Sequence, residues 1–185
     1  MNLVTIVIGI TGLVVERRVG NASAISLLAM GFCQLVAMMS GSNPPVTHLM
    51  PVLNSPLLTL HVTVIMISYA LFFFVMMSSV WSLLRHAGIT PRLQLLLLYP
   101  AVSLLAIGIV LGAVWANISW GNYWSWDPKE VWALITLLVY LYPLMDNSLA
   151  KRPRAFFLYC VLAFLSVVVT YFGVNLVLGG VHAYN

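Results

Sequence analysis

The chain has 185 residues, of which 62% are hydrophobic and 6% charged, and its mean hydropathy is +1.04. A soluble domain carries about 25% charged residues, so this composition excludes a water-soluble globular protein and indicates an integral membrane protein whose first partner is the lipid bilayer. The formal net charge of +4 indicates an orientation in the membrane and gives no reason to expect binding to nucleic acid.

Six apolar segments follow one another along the chain, separated by turns that contain Pro, Asn, Gly and nearly all the charged residues. A transmembrane helix needs about 20 mostly apolar residues. The segments therefore predict an all-α fold, a polytopic bundle of transmembrane helices with about six spans, the first of them short. The predicted spans cover residues 3–15, 21–40, 57–81, 93–114, 129–145 and 155–178.

Basic residues fall almost entirely in alternate gaps between these spans. Seven of the eight Lys and Arg residues lie in gaps 16–21, 83–92 and 146–154, and the eighth is Lys129. The seven are Arg17, Arg18, Arg85, Arg92, Lys151, Arg152 and Arg154. Cytoplasmic loops of membrane proteins carry an excess of Lys and Arg. These gaps are therefore predicted to face the cytoplasm, which places a Trp-rich loop at residues 115–128 on the outer face.

Three of the four histidines, His48, His61 and His182, lie on the predicted outer side, whereas His86 lies in a basic gap. His61 is about one turn inside a predicted span, where an imidazole needs a partner. A hydrogen bond to a neighbouring helix would supply one. A ligand role is favoured because His182 is predicted at the same depth. His48 and His86 are expected to have no special role.

The stretch WGNYWSWDPKE, residues 120–130, concentrates aromatic and charged side chains in an otherwise apolar chain. Trp and Tyr are enriched at membrane interfaces, but that enrichment spreads over many helix ends and does not explain a cluster of Trp120, Trp124 and Trp126. The cluster indicates an aromatic surface with a specific ligand.

Asp127 begins an Asp-Pro-Lys-Glu sequence that predicts the start of a helix. Asp at the N-cap accepts backbone N–H groups, Pro suits the first helical position, and Glu130 at the third can close a capping box. Asp127 is therefore predicted to cap a helix, whatever else it does.

Two histidines near an aromatic surface favour a planar, apolar ligand with an iron centre, because haem iron takes two axial imidazoles and indole packs on porphyrin. Zinc is the alternative for a histidine pair, although zinc prefers four ligands. Cys33 and Cys160 lie in apolar runs and are predicted to be buried. The sequence contains no CxxCH motif, so the chain is not expected to carry covalent haem itself.

The segment WGNYWSWDPKEVWALIT resembles the tryptophan-rich WWD signature of haem-handling proteins of cytochrome c biogenesis. It is most similar to the CcsA (ResC) branch of System II, which is related to CcmC. LHVTVIMISYALF around His61 and TYFGVNLVLGGVHAYN around His182 are also similar. The resemblance implies a WWD haem-handling domain at 56–185, preceded at 1–55 by N-terminal transmembrane spans and an external loop.

The resemblance also implies a location, a cargo and partners. The protein would lie in the bacterial inner (cytoplasmic) membrane with the WWD loop on the periplasmic side, and would hold haem b there for attachment to the CxxCH segment of apocytochrome c. It would act as a component of a cytochrome c haem lyase, without acid–base catalytic residues of its own. Its implied partners are a ResB/CcsB-type membrane protein and a thiol-reducing thioredoxin-like protein.

The implied haem site has two axial ligands and a contacting segment. His61 and His182 would ligate the iron, and the contacting residues would be Trp120, Trp124, Trp126 and Asp127. Lys129 would either pair with a haem propionate or be solvated beside the cap.

One position departs from the family's pattern. Members commonly carry a further histidine for a second, inner haem site, and here that position is Met145. A thioether can ligate haem iron, but Met is also an ordinary core residue, so an inner site stays an open question. A b-type electron-transfer cytochrome, a haem exporter and a structural subunit are the alternative functions.

Overall fold

The computed structural model describes residues 2–16, 26–27, 29–31, 55–85, 90–146 and 148–172. All regular structure in these ranges is helical, which confirms the predicted all-α fold. The helices are α1 (Asn2–Glu16), α2 (Pro56–Arg85), α3 (Pro91–Trp120), α4 (Pro128–Met145) and α5 (Pro153–Val168), with a single 3₁₀ turn at Leu149–Lys151. Residues 169–172 continue α5 as a π-helical turn.

Three of the described helices are long and apolar enough to cross a membrane: α2, α3, and α5 with its π-helical turn. They coincide with the predicted spans 57–81, 93–114 and 155–178 as far as the last of these is described. The predicted span 129–145 forms α4 but is not among the three, because its 18 residues include a charged first turn and a proline near the end. Helix α1 is shorter, and the span 21–40 lies mostly outside the described residues.

Each of the four later helices begins at a proline, namely Pro56, Pro91, Pro128 and Pro153. Proline suits this place because a helix leaves its first N–H groups unbonded within the helix, and because its fixed φ matches the helical value. Three of the starts are strengthened by a preceding cap. Ser55 Oγ accepts the N–H of Leu58 at 3.1 Å, Thr90 Oγ1 accepts the N–H of Leu93 at 3.4 Å, and Asp127 caps α4. These turns set where each helix enters the bundle.

Neighbouring helices run antiparallel. Ser68 Oγ donates to Ala101 O at 2.7 Å, and Ser79, farther along α2, donates to Gln94, which lies earlier in α3. Across α4 and α5, Tyr159 donates to Val139 O at 2.7 Å, and Thr170, farther along α5, is hydrogen-bonded to Thr136, which lies earlier in α4. The described ends of consecutive helices therefore alternate between the two ends of the bundle.

The two ends differ in charge. The connection from α3 to α4 is at one end, which we call the Trp-loop end. The last turn of α2, the start of α3 and residues 148–152 are at the other, which we call the basic end. The basic side chains that the structure describes at the basic end are exposed, and they are Arg92, Lys151, Arg152 and Arg154. The helix directions thus match the charge segregation predicted from the sequence, while the assignment of the basic end to the cytoplasm stays a prediction.

The core joins α2, α3, α4 and α5. Phe72 stacks on Tyr140 with a centroid distance of 3.8 Å and an interplanar angle of 12°, and both side chains are fully buried. Cys160 is buried, as predicted, whereas Cys33 lies outside the described residues. Near the basic end, the buried Gln94 donates to Ser78 Oγ at 2.9 Å and accepts from Ser79 Oγ at 3.0 Å. Polar bonds of this kind help to hold apolar helices together.

Candidate functional site

His61 lies in the second turn of α2, and its ring contacts α3. Its Nδ1 is 2.7 Å from the carbonyl oxygen of Gly108. A carbonyl oxygen can only accept, so Nδ1 must carry the proton in this hydrogen bond. In the neutral imidazole the lone pair is then on Nε2, the nitrogen that would bind a metal. A backbone carbonyl that fixes the tautomer in this way is a common second partner of metal-binding histidines.

Gly112, one turn after Gly108 on α3, makes room for the His61 ring. A Cβ atom at position 112 would lie 2.6 Å from Cε1 and 3.0 Å from Nδ1 of His61. Distances this short are not tolerated between unbonded carbon and ring atoms, so only glycine fits without a shift of the ring. The sequence analysis did not single out these two glycines, although their GxxxG spacing is a known signal of close helix approach.

The Trp loop comprises residues 121–127, which is shorter than the predicted loop 115–128. Helix α3 continues through Trp120 and ends at Gly121, whose φ of 82° is favourable only for glycine and a few small polar residues. Trp115 is buried and packs edge to face with Trp120, with ring centroids 4.8 Å apart. This ring contact lies within the last turns of α3, which the sequence analysis had assigned to the loop.

The indoles of the Trp loop do not form one flat surface. Trp124 and Trp126 are perpendicular to each other, with centroids 6.1 Å apart. Trp124 is partly buried, whereas Trp126 is 73% exposed. Trp126 also has a backbone φ of 59°, and a left-handed conformation costs an ordinary residue about 1–2 kcal/mol. The most exposed indole is thus presented by a strained backbone.

Asp127 and Glu130 form the predicted capping box at the start of α4. Asp127 Oδ1 accepts the N–H of Lys129 at 2.9 Å, and Glu130 Oε2 accepts the N–H of Asp127 at 3.1 Å. Glu130 Oε2 also accepts the N–H of Ser125 at 2.9 Å. Asp127 is only 5% exposed, so its position holds the loop and the helix together.

Lys129 is partly buried at the loop end of α4, outside the three membrane-capable helices. Burial lowers the pKa of its ammonium group because water around the charge is removed, and the neighbouring Asp127 carboxylate acts in the opposite direction. The two predicted roles of Lys129, pairing with a haem propionate or solvation beside the cap, stay predictions.

The structure brings His61, Trp120, Trp124, Trp126 and Asp127 to the same end of the bundle. His182, like His48 and His86, lies outside the described residues, so its predicted proximity to His61 stays a prediction. Met145 ends α4 at the basic end and is 78% exposed. Among the described residues, no three His, Cys, Asp or Glu side chains gather as a metal site would require.

Known proteins are similar to this chain along most of its length. The family model described as Cytochrome C assembly protein matches residues 1–182. Protein NrfI of Wolinella succinogenes is 38% identical over 180 residues, which cover 88% of this chain and 20% of that protein. The cytochrome c biogenesis protein CcsA of Chlamydomonas reinhardtii is 37% identical over 191 residues, which cover 93% of this chain and 52% of that protein.

A shorter segment is more similar still. The cytochrome c biogenesis protein CcsA of Picosynechococcus sp. is 51% identical over 84 residues, which cover 44% of this chain and 24% of that protein. The chain therefore spans about half the length, or less, of the curated relatives that it matches.

Proposed function

The chain belongs to the cytochrome c assembly protein family, and we propose that it holds haem b at the outer membrane face and presents it for covalent attachment to apocytochrome c. Family membership supports a role in cytochrome c maturation, and the long apolar helices support a multi-pass membrane protein. The observation that carries the proposal is the 2.7 Å hydrogen bond from His61 Nδ1 to Gly108 O. It gives the imidazole the tautomer that an axial haem ligand needs.

In this proposal, haem is the cargo and the chain supplies its binding site. His61 is one axial ligand of the iron, and His182 is the other by the resemblance to the WWD proteins. The exposed and partly exposed indoles contact the macrocycle, and they belong to Trp120, Trp124 and Trp126. Asp127 acts through the backbone by capping α4 beneath these residues. Lys129 offers a positive charge to a propionate.

The chemistry of attachment lies in the haem vinyl groups and the thiols of the CxxCH segment. Each thiol adds its S–H bond across a vinyl double bond, which forms one thioether and leaves no leaving group. The chain's residues therefore need to bind, orient and exclude water rather than transfer a group. The histidine of the CxxCH segment then replaces one axial imidazole and favours release.

We place the Trp-loop end on the periplasmic side of a bacterial cytoplasmic membrane. The exposed basic side chains at the opposite end support this orientation through the positive-inside rule. The chain would work in a haem lyase with a ResB/CcsB-type membrane protein, while a thioredoxin-like protein keeps the apocytochrome thiols reduced.

The test is the haem content of the membrane protein purified in detergent, with absorption spectra of the oxidised and reduced forms. His61→Ala should lose most bound haem, and added imidazole should restore part of it, because free imidazole replaces the missing ligand. His182→Ala should lose haem in the same way. The matched control is His86→Ala, which removes a histidine from the basic gap and should retain haem.

Three results would contradict the proposal. Unchanged bis-imidazole spectra in a His61→Ala, His182→Ala double variant would eliminate both ligands. Bound zinc without haem in the wild-type protein would favour the zinc alternative. Rapid reduction of the haem by quinol, with normal cytochrome c maturation in a strain lacking the protein, would favour an electron-transfer cytochrome.

A further inference from the structure

Trp126 is held by hydrogen bonds on both sides of its own peptide unit. The N–H of Ser125, before it, and the N–H of Asp127, after it, both point at Oε2 of Glu130, at 2.9 and 3.1 Å. The Ser125 hydroxyl adds a third bond to the same oxygen at 3.4 Å. One carboxylate oxygen thus gathers three donors around a single residue.

A capping box needs only part of this arrangement. It requires the Glu130 side chain to reach the N–H of the N-cap residue Asp127. The two bonds to Ser125 join Glu130 to a residue five positions earlier, on the other side of Trp126, and they satisfy no N–H group in the first turn of α4. They stabilise the backbone at Trp126 instead. A left-handed residue makes the N–H groups on its two sides converge, and converging N–H groups form a concave site for an anion, here the Glu130 carboxylate.

We infer that Glu130 is a positioning residue that keeps Trp126 in its left-handed conformation and so projects the Trp126 indole away from the bundle. The φ of 59° at Trp126 is the single positive φ among the described non-glycine residues. Its side chain is 73% exposed, and the one described ring contact of its indole is the edge contact with Trp124, a neighbour in the same loop. The carboxylate of Glu130 accounts for that conformation, without itself touching the ligand.

The consequence for haem rests on the proposed function. If the Trp loop contacts the macrocycle, then Glu130 determines where Trp126 meets it. Loss of the carboxylate should let the backbone of Trp126 relax to an ordinary negative φ and turn the indole elsewhere. The effect on the Trp126 environment does not depend on haem, so the two claims can be tested separately.

The direct test is fluorine NMR of the full-length protein labelled with 5-fluorotryptophan, with the Trp126 resonance assigned by its loss in Trp126→Phe. Glu130→Ala should shift or broaden the resonances of Trp126 and Trp124. The resonance of Trp81, near the basic end of α2, should stay in place. Glu130→Gln keeps one acceptor oxygen and should give a spectrum close to that of the wild type.

Asp127→Ala separates positioning from capping. This variant loses the side-chain cap of α4 but keeps the backbone N–H that binds Glu130. It should lower thermal stability while leaving the Trp126 resonance near its native position. If Asp127→Ala and Glu130→Ala change the Trp126 resonance alike, Glu130 is only a helix cap and the inference is wrong.

Haem retention distinguishes the two proposals. We expect Glu130→Ala to retain about tenfold less haem than the wild type, which is the lower end of the loss seen when a residue that orients a metal-binding side chain is removed. A wild-type protein without haem, combined with a shifted Trp126 resonance in Glu130→Ala, would overturn the proposed function and keep this inference. Normal haem in the wild type with an unchanged Trp126 resonance in Glu130→Ala would support the proposed function and overturn this inference.

Discussion

His61 and the Trp loop lie at the same end of the bundle, but different kinds of contact hold them. The His61 ring is fixed by another helix, through a carbonyl 47 residues away in the sequence and the space above Gly112. The Trp loop is fixed by its own neighbours, since Glu130 and Asp127 bind backbone groups within five residues. The site therefore joins one tertiary contact to one local motif, and each can be disturbed without the other.

The largest effect should come from Gly112→Ala, which breaks the tertiary contact. The added methyl group would lie 2.6 Å from His61 Cε1, so the ring must turn and its bond to Gly108 is lost. Haem retention should fall about tenfold or more, and overpacking should destabilise the fold by about 1–3 kcal/mol. Haem content and thermal unfolding in detergent measure both effects.

The control for that variant is Gly31→Ala. Among the described residues, no atom lies within 4 Å of a Cβ placed at Gly31, so the same substitution there should leave haem content unchanged. The 5-fluorotryptophan spectrum of Gly112→Ala should keep its Trp126 resonance. A shifted Trp126 resonance would show that the two halves of the site are coupled rather than separate.

Gly121→Ala should have a smaller effect on stability, and it should disturb the Trp loop without disturbing the contact of His61 with α3. Its φ of 82° places an alanine Cβ against the following backbone, and the penalty for a left-handed alanine is about 1 kcal/mol. We expect a lower melting temperature and a changed Trp124–Trp126 signal. Gly121→Asn is the matched control, because asparagine tolerates this conformation, and equal losses in both variants would contradict the backbone explanation.

The smallest effect is expected for the hydrogen bonds between Asp146 and Ser148 at the basic end. They test how much a local motif of an exposed carboxylate contributes to the stability of the folded protein. Asp146 accepts the N–H of Ser148 at 2.8 Å and its hydroxyl at 2.6 Å, and these bonds lower the pKa of the Asp146 carboxyl. Because the folded-state pKa is the lower one, the stabilisation is present above the unfolded pKa and is lost as pH falls through the folded pKa.

Ser148→Ala removes the hydroxyl bond and keeps the N–H bond, so the pKa of Asp146 should move part of the way back towards its usual value. Carbon NMR titration of labelled Asp measures the shift, and Ser148→Thr, which keeps the hydroxyl, is the control. The carboxylate is exposed, so the melting temperature at neutral pH should hardly change. A rise in pKa with Ser148→Thr as large as with Ser148→Ala would exclude the hydroxyl as the cause.

The sequence predicted the helices well because their boundaries are chemically marked. Proline precedes or opens each long helix, and the capping box at Asp127 and Glu130 formed as expected. The prediction was wrong at the end of α3, because the span was ended at residue 114 whereas the helix continues through Trp120. The rings of Trp115 and Trp120 pack edge to face within these last turns, a contact that residue types alone did not indicate.

The site was less predictable than the fold. Residue type and side of the membrane indicated His61 and the tryptophans, but not what holds them. The Gly108 carbonyl becomes a partner of His61 only when α2 and α3 pack antiparallel, and no local pattern near His61 encodes that. The backbone conformation of Trp126 was equally hidden, because a left-handed Trp contradicts its intrinsic preference.

The π-helical turn at residues 169–172 changes which face of α5 the later residues lie on. A π turn accommodates about one more residue per turn than an α-helix, and one residue corresponds to about 100° around the axis. A helical wheel drawn from Phe156 and carried through Val168 therefore misassigns the direction of Tyr171 and Phe172. Crosslinking or spin-label sites designed on this helix need one register before residue 169 and another after it.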